Sequence, residues 1–283
     1  MSDAPTASSR RAIFLDVDGT YAHHGRVPEE HADAVRRARA AGHLVLLCTG
    51  RPVSLLSDHL TEAGFDGYIA GAGAYAELDA HVLLDTRFPA DLAARALAAL
   101  DAHDALYFLE APDATHTRPA TIAAMHRFLP SRSAHSQAEE AGRRDITSAL
   151  RPAEDLRGVE FGKITSFHAE APLADIAAQV GPEVAVIPSS IPDLGPGAGE
   201  MFLADVHKAV GIAAVVEHLG LPRERVVAFG DGPNDLEMLE YAGVSVAIEG
   251  SAPELLGLAD HVAAPPAEAG LAAAFAELGL LDG

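Results

Sequence analysis

The stretch AIFLDVDGT, residues 12–20, joins four apolar residues to two carboxylates and a turn. Its apolar start predicts a buried strand, and Asp16 and Asp18 follow at the carboxyl end of that strand. Open α/β sheets bind their ligands at this edge, so both carboxylates are candidate functional residues. The alternative is an ordinary turn, because Asp and Gly are common turn residues.

The sequence around this stretch alternates between short apolar runs and amphipathic segments. Helices are predicted at 28–41 and 52–63, and strands at 43–48 and 67–70. The same alternation returns near the other end of the chain, in segments at 208–219, 226–229, 235–241, 244–248 and 261–263. Strands that alternate with helices form parallel sheets. We therefore predict the α/β class, with a doubly wound Rossmann-like parallel sheet built from both flanks.

The middle of the chain has a different order of elements, which predicts an inserted α+β cap domain. Residues 83–199 carry strands and helices without regular alternation, and a polar loop is expected at 131–144. A stretch rich in Pro and Gly, 188–199, is expected to return the chain to the core. The core would then comprise 12–82 and 200–283, after a flexible tail at 1–11.

A second acidic cluster, GDGPND at residues 230–235, follows the strand predicted at 226–229. Its carboxylates, Asp231 and Asp235, would therefore approach Asp16 at the same edge of the sheet. Carboxylates gathered this closely repel one another unless a cation lies between them, and Mg²⁺ prefers oxygen ligands. The sequence thus predicts a magnesium site, against the alternative of two unrelated acidic turns in an acidic protein.

The segment Thr49-Gly50-Arg51 follows the strand predicted at 43–48 and precedes Pro52. At the start of a helix, the Thr49 hydroxyl and the exposed backbone N–H groups could receive an anion. All three residues are therefore candidates for phosphate binding. The alternative is a plain helix cap, a task that Thr49 would perform equally well.

Lysine is rare in this chain. Lys163 and Lys208 are the only two, against eighteen arginines, which indicates that lysine stands where arginine would not serve. Lys208 opens a predicted helix before the strand that leads to Asp231, and its compact ammonium could balance a phosphate and a carboxylate together. Lys163 is interpreted as a charge on an edge strand, with contact to substrate as the alternative.

Composition and charge limit the partners of the protein. The 283 residues are 49% hydrophobic and carry a net charge of -21, so nucleic acid and anionic membranes would be repelled. No apolar run reaches the roughly 18 residues of a membrane helix, and residues 1–11 lack the apolar core of a signal peptide. A single cysteine, Cys48, excludes an intramolecular disulfide and fits a reducing compartment. We therefore expect a cytoplasmic protein, as a monomer or homodimer.

Four segments of the chain together resemble the haloacid dehalogenase superfamily, in its Cof-type phosphatase branch. They are, in order, the first acidic stretch, the threonine segment, Lys208 and the second acidic cluster, with a large insert between the second and the third. The resemblance implies that Asp16 is the nucleophile and Asp18 the acid and base. It implies that Asp231 and the backbone carbonyl of Asp18 bind Mg²⁺ together with Asp16. It also implies a charge partner in Lys208 and a phosphate ligand in Thr49.

The same resemblance implies that Asn234 contacts the phosphate, and that Thr20 and Asp235 hold the ligands in place without touching the metal. The expected enzyme is a magnesium-dependent phosphatase that hydrolyses a small phosphorylated metabolite, a sugar phosphate, nucleotide or cofactor phosphate, through an aspartyl-phosphate. A sugar phosphomutase of the same superfamily and a catalytically silent phosphate-binding module are the alternatives. His23 and His24 are expected in a solvated loop, with metal binding as the alternative.

Overall fold

The computed structural model describes residues 10–128, 149–189 and 194–281. Contacts divide the described chain into two compact units. The first unit holds residues 10–51, 56–84 and 207–281, and the second holds 52–55, 85–128, 149–189 and 194–206. The polar loop expected at 131–144 lies outside the described residues.

Strands and helices alternate through much of the described chain. The strands are β1 (Ala12–Leu15), β2 (Leu44–Cys48), β3 (Gly67–Ala70), β4 (Tyr75–Leu78), β5 (His81–Asp85), β6 (Leu106–Glu110), β7 (Thr115–Thr117), β8 (Leu150–Pro152), β9 (Lys163–His168), β10 (Val184–Pro188), β11 (Gly199–Leu203), β12 (Val226–Gly230), β13 (Val244–Ile248) and β14 (His261–Ala263). The helices are α1 (Glu29–Ala40), α2 (Asp58–Thr61), α3 (Ala90–Ala102), α4 (Pro119–Phe128), α5 (Leu173–Val180), α6 (Lys208–Leu219), α7 (Leu236–Tyr241), α8 (Pro253–Leu258) and α9 (Gly270–Glu277). None of the described helices combines the length and the apolar character needed to span a membrane.

The first unit is built around an eight-stranded sheet with the order β14-β13-β12-β1-β2-β3-β4-β5. The six strands from β14 to β3 run parallel to their neighbours, and β4 turns back antiparallel to β3. β1 lies inside this sheet, with Ala12 opposite Val226 of β12 and Leu44 of β2. The sheet confirms the predicted fold class.

All four residues of β1 are fully buried, because helices cover both faces of the sheet. Ile13 and Leu15 pack in one hydrophobic cluster with residues of α1 and α9. Ala12 and Phe14 point to the other face and pack with residues of α6 and α7. The sequence AIFL is thus apolar throughout because neither face of the strand meets water.

The second unit holds a six-stranded sheet with the order β10-β11-β9-β6-β7-β8. Leu97 and Leu100 of α3 and Ile176 of α5 pack in the hydrophobic cluster of this unit. β9 pairs with β11 on one side and β6 on the other, so Lys163 does not lie on an edge strand, contrary to expectation. Its charge is tolerated inside the sheet because two carboxylates pair with it there.

Two strands cross the predicted domain boundaries. The boundary expected at 82–83 falls inside β5, which lies beside β4 in the first sheet. The boundary expected at 199–200 falls inside β11, which pairs with β9 and β10 in the second sheet. The stretch 188–199 therefore joins two antiparallel neighbours, and the chain returns to the first unit at His207. A strand-like pattern in the sequence does not reveal which sheet the strand joins.

The helix predicted over 52–63 does not form as one element. The structure has a 3₁₀ turn at Val53–Leu55 and then the short α2, with Ser57 between them in an extended conformation. Val53 and Leu55 are only half-buried, whereas Leu60 of α2 is fully buried. The apolar residues therefore form no continuous stripe that would hold a longer helix against the sheet.

Candidate active site

Three carboxylates meet at the carboxyl edge of the first sheet. Asp16 follows β1, and Asp231 follows the neighbouring parallel strand β12. Asp235 stands immediately before α7. One carboxylate oxygen of each residue lies within 4.8 Å of the others. The structure therefore brings together the two acidic clusters that the sequence analysis assigned to one edge.

Gly19 allows the loop after Asp16 to pass directly over Asp231. Its φ is +99°, in the left-handed region that favours glycine, and a Cβ atom at this position would overlap the Asp231 carboxylate. The next residue, Thr20, is buried and donates a hydrogen bond of 2.6 Å to Asp231 Oδ1. The two acidic clusters are thus joined by a side-chain hydrogen bond as well as by the sheet.

Lys208, the first residue of α6, is completely buried beside these carboxylates. Its Nζ lies 2.6 Å from Asp16 Oδ1 and 2.5 Å from Asp235 Oδ1. The helix approaches the sheet closely because Gly211 faces Ile69, where a Cβ atom would overlap the isoleucine side chain. Burial alone would lower the pKa of Lys208, but the adjacent carboxylates raise it above its usual range. The ammonium group therefore stays charged.

Burial shifts the pKa of two of the carboxylates in the opposite direction from that of the lysine. Burial raises the pKa of Asp16, and the ammonium of Lys208 opposes this effect. Burial also raises the pKa of Asp231, against the hydrogen bond from Thr20. Three carboxylates around one ammonium give the cluster an excess of negative charge. A donor set of oxygens with this charge fits a hard divalent cation such as Mg²⁺.

Both carboxylate oxygens of Asp235 are used inside the protein. Oδ1 accepts a hydrogen bond from Lys208, and Oδ2 accepts from the backbone N–H groups of Asp231 (3.0 Å) and Gly232 (2.9 Å). These bonds hold the turn after β12 and fix the ammonium. Asp16 and Asp231 are therefore better suited than Asp235 to bind a metal.

Asp18 is paired with Arg51 rather than with the buried cluster. Arg51 Nε donates to Asp18 Oδ2 at 2.7 Å and Nη2 donates to Oδ1 at 2.6 Å, which is a bidentate ion pair. The Asp18 side chain is 54% exposed, so solvent reaches it. From the sequence, Arg51 was predicted to bind phosphate and Asp18 to transfer protons. In the structure each of these side chains holds the other.

Thr49 is buried directly after β2, but it does not begin an α-helix. Its Oγ1 accepts a hydrogen bond of 3.1 Å from Arg51 N, and its carbonyl accepts one of 3.1 Å from Ala72 N. The prediction that Thr49 stands at a helix N-terminus, either to receive an anion or to cap the helix, is therefore wrong, because the chain continues into a 3₁₀ turn. The other predicted phosphate ligands, Gly50 and Asn234, are half-buried.

Three further residues singled out in the sequence take ordinary positions. Cys48 is fully buried, and burial raises the pKa of its thiol well above the usual range. Cys48 therefore keeps an uncharged thiol and fills space in the core, whereas a nucleophilic cysteine would be a thiolate. His23 and His24 are exposed, with ring centroids 4.1 Å apart.

One contact to the loop after Asp16 was not predicted from the sequence. His31, in the first turn of α1, is fully buried, and its Nδ1 lies 2.9 Å from the carbonyl oxygen of Tyr21. The signal that could have revealed it is the helical spacing with Val35 and Ala38, which puts a polar side chain on the buried face of α1.

Comparisons with known proteins agree with this geometry. The sequence pattern of the family described as haloacid dehalogenase-like hydrolase matches residues 13–275. YkrA of Bacillus subtilis, which carries a phosphatase name, is 30% identical over 276 residues. The alignment covers 96% of this chain and 98% of YkrA.

Solved structures share the fold. A haloacid dehalogenase-like hydrolase from Bacillus subtilis has a TM-score of 0.77 at 20% identity, over 95% of this chain and 99% of that chain. A subclass IIB sugar phosphatase of the superfamily has a TM-score of 0.76 at 22% identity, with the same coverage. The match to the family and the similarity to YkrA confirm the resemblance inferred from the motifs and the expectation of an enzyme. The chain belongs to the haloacid dehalogenase-like hydrolases.

Proposed function

We propose that this phosphatase of the haloacid dehalogenase type hydrolyses a small phosphorylated metabolite, with Asp16 as nucleophile and Mg²⁺ as cofactor. The proposal rests on the buried contact between Lys208 and Asp16, beside Asp231 on the neighbouring strand end. A carboxylate at this edge of the sheet suits attack on phosphorus, and the adjacent ammonium can bind the phosphoryl oxygens.

The first half-reaction forms an aspartyl-phosphate. Because Lys208 binds Oδ1 of Asp16, Oδ2 is the atom that attacks phosphorus. Its bond to phosphorus forms as the ester P–O bond breaks, and the leaving oxygen takes a proton from Asp18. Thr49 and Asn234 would bind the phosphoryl oxygens, and Lys208 would offset part of their charge.

The second half-reaction releases inorganic phosphate. A water molecule attacks phosphorus, and Asp18, now a carboxylate, accepts a proton from this water. The bond between phosphorus and Oδ2 of Asp16 breaks, and its electron pair returns to the carboxylate. Both aspartates thus end the cycle in the states in which they began it.

Asp16, Asp231 and the backbone carbonyl of Asp18 would hold the Mg²⁺ ion. When bound, the ion offsets the negative charge that spreads over the phosphoryl oxygens during transfer. The excess of carboxylates over ammonium groups in the cluster supports this requirement for a divalent cation. Asp235 would keep Lys208 and the turn after β12 in place.

Asp18 can act as an acid only after it leaves Arg51. The guanidinium group binds phosphate and carboxylate with the same bidentate geometry, so a phosphate dianion competes with Asp18 for Arg51. The arriving substrate would therefore engage Arg51 and free the Asp18 carboxylate, which is exposed and would take up a proton from water before it acts as the acid. With this exchange, Arg51 can bind phosphate and Asp18 can transfer protons, although the two side chains form an ion pair in the structure.

A panel of phosphorylated sugars, nucleotides and cofactors, together with p-nitrophenyl phosphate, tests the proposal by phosphate release. Sugar phosphates come first, because one structure of similar fold is that of a sugar phosphatase. We expect activity with Mg²⁺, its loss in EDTA, and its return when Mg²⁺ is added back. Ca²⁺ should restore much less activity, because its longer and more variable coordination misplaces the attacking oxygen.

Two results would contradict the proposal in different ways. Full activity in metal-free protein would remove the requirement for Mg²⁺ but not the phosphatase activity. Absence of phosphate release from every substrate of the panel would remove the activity itself, and would favour the alternative of a phosphate-binding module.

A further inference from the structure

His31 is a buried histidine that the proposed chemistry does not use. It has no exposed surface, and its Nδ1 lies 2.9 Å from the carbonyl oxygen of Tyr21. A carbonyl oxygen only accepts hydrogen bonds, so this contact requires the proton on Nδ1. Nε2 is then an unprotonated acceptor, and it has no hydrogen-bond partner among the residues that the structure describes.

Tyr21 belongs to the loop that carries Asp16. Its backbone N–H donates a hydrogen bond of 3.1 Å to the carbonyl of Asp16, so two hydrogen bonds lead from His31 to the nucleophile. The Tyr21 ring is buried, with its centroid 6.5 Å from that of His31 and 5.4 Å from that of Phe65. Both the backbone and the ring of Tyr21 are therefore fixed.

Stability alone does not explain a histidine at this position. A buried acceptor without a partner, such as Nε2, destabilises the folded state. An apolar side chain could occupy the same face of α1 beside Val35 and Ala38 without that penalty. The imidazole adds a rigid N–H donor that is directed at the Tyr21 carbonyl.

We propose that His31 is a positioning residue, which holds Asp16 in place for attack through the backbone of Tyr21. The inference rests on the proposed function, because it takes Asp16 as the nucleophile. Burial lowers the pKa of His31 below its usual value, against the hydrogen bond to Tyr21 and the charge of Glu30. The neutral Nδ1–H form is therefore the form present near pH 7.

Nitrogen NMR of protein labelled in its histidines tests the hydrogen bond directly. His43 is an internal control, because its Nδ1 accepts a hydrogen bond of 3.1 Å from Arg11 N and its proton should therefore lie on Nε2. We expect the Nδ1–H form for His31, with its signal assigned by its loss in His31→Asn. A proton on Nε2 of His31 would overturn the proposal, since this form cannot donate to Tyr21.

Two substitutions separate the hydrogen bond from packing. His31→Asn keeps an N–H donor near the position of Nδ1, whereas His31→Leu only fills the space. With p-nitrophenyl phosphate and Mg²⁺, we expect kcat of the leucine variant to fall about 10-fold, because small displacements of a reacting group slow the reaction. KM should change little, because the phosphate ligands stay in place. The asparagine variant should keep kcat near that of the wild type.

His43→Leu is the matched control. His43 precedes β2 at the amino end of the sheet, the opposite edge from Asp16, so its replacement should lower thermal stability without a selective effect on kcat. The proposal is overturned if folded His31→Leu keeps the wild-type kcat, or if His31→Asn is as impaired as His31→Leu. If His31→Leu does not fold, the tautomer of His31 in the wild-type protein still tests the proposal, because only the Nδ1–H form can donate to Tyr21. A wild-type protein without phosphatase activity would contradict the proposed function instead.

Discussion

The only two lysines of the chain are both buried, one in each unit, and each lies between two carboxylates. Nζ of Lys208 lies 2.6 and 2.5 Å from two aspartates. Nζ of Lys163 lies 3.1 Å from Glu110 and 2.9 Å from Glu200. In both cases burial would lower the pKa of the lysine, and the paired carboxylates raise it. The two sites therefore have the same kind of centre, a buried lysine paired with two carboxylates.

The surroundings of the two lysines differ in charge and exposure. Within the described part of the chain, three carboxylates close enough to hold a metal occur at Lys208 and not at Lys163. The excess charge at Lys163 is partly screened by water, because the Glu200 side chain is 35% exposed. The difference teaches that a buried lysine with carboxylates does not by itself indicate catalysis. At Lys208, the larger excess of carboxylates at the ends of neighbouring parallel strands supports the catalytic role that we propose.

Replacement of Asp16 should give the largest effect. Asp16→Asn is almost isosteric and leaves Lys208 its contact with Asp235, so the fold should survive by circular dichroism and thermal unfolding. It removes the anionic nucleophile, and we expect phosphate release to fall at least about 10⁴-fold. Retention of more than about one per cent of the wild-type rate would mean that another group attacks phosphorus.

Asp18→Asn should give the next largest effect, which depends on the leaving group. Unlike the carboxylates at the two lysines, Asp18 pairs with an arginine, Arg51, at an exposed position where phosphate can replace it. Phosphoenzyme formation from a sugar phosphate should fall about 10²- to 10⁴-fold, the usual range for loss of an acid catalyst. The effect with p-nitrophenyl phosphate should be far smaller, because p-nitrophenolate leaves without much protonation.

Rapid mixing is needed for this measurement, since the same variant also loses the base for the second half-reaction. We expect a stoichiometric burst of p-nitrophenolate followed by slow turnover, with phosphate trapped on Asp16. Equal slowing of phosphoenzyme formation with both leaving groups would show instead that Asp18 supports the metal or the loop.

Lys208→Met tests the first lysine of the comparison. The variant loses the ammonium that binds Asp16, and we expect phosphate release by the folded fraction to fall about 10²- to 10³-fold, as for loss of other groups that stabilise transition-state charge. Lys208→Arg should not restore activity, because the larger planar guanidinium does not fit a buried site built for a compact ammonium. A loss of less than about tenfold in the methionine variant would reduce Lys208 to a structural role.

The sequence predicted the parts of this site that depend on order along the chain. β1 and β12 could be recognised as strands that each end in acidic residues, and parallel strands place such residues at one edge. Helix α6, with Lys208 at its start, was also predicted within its observed bounds. These features follow from local patterns combined with the rules of α/β folds.

The parts that the sequence did not predict depend on contacts between distant residues. Nothing in the pattern around Arg51 indicates that its partner is Asp18, 33 residues away. The sheet to which β5 or β11 belongs is likewise decided by pairing, not by composition. The buried position of Lys163 has the same cause, because the strands that flank β9 come from separate parts of the chain.

Lys163→Met should have the smallest effect on activity and a clear effect on stability. Methionine keeps most of the volume but leaves the buried Glu110 carboxylate without its ammonium, which should cost about 3–5 kcal/mol of unfolding free energy in urea. The double variant Lys163→Met, Glu110→Gln should recover much of this loss, because a neutral amide can still accept the 2.6 Å hydrogen bond from Thr165. Activity with p-nitrophenyl phosphate should stay near the wild-type level in the folded fraction. A loss as large as that of Lys208→Met would erase the difference between the lysines, and a rise in KM confined to larger substrates would assign Lys163 to substrate contact.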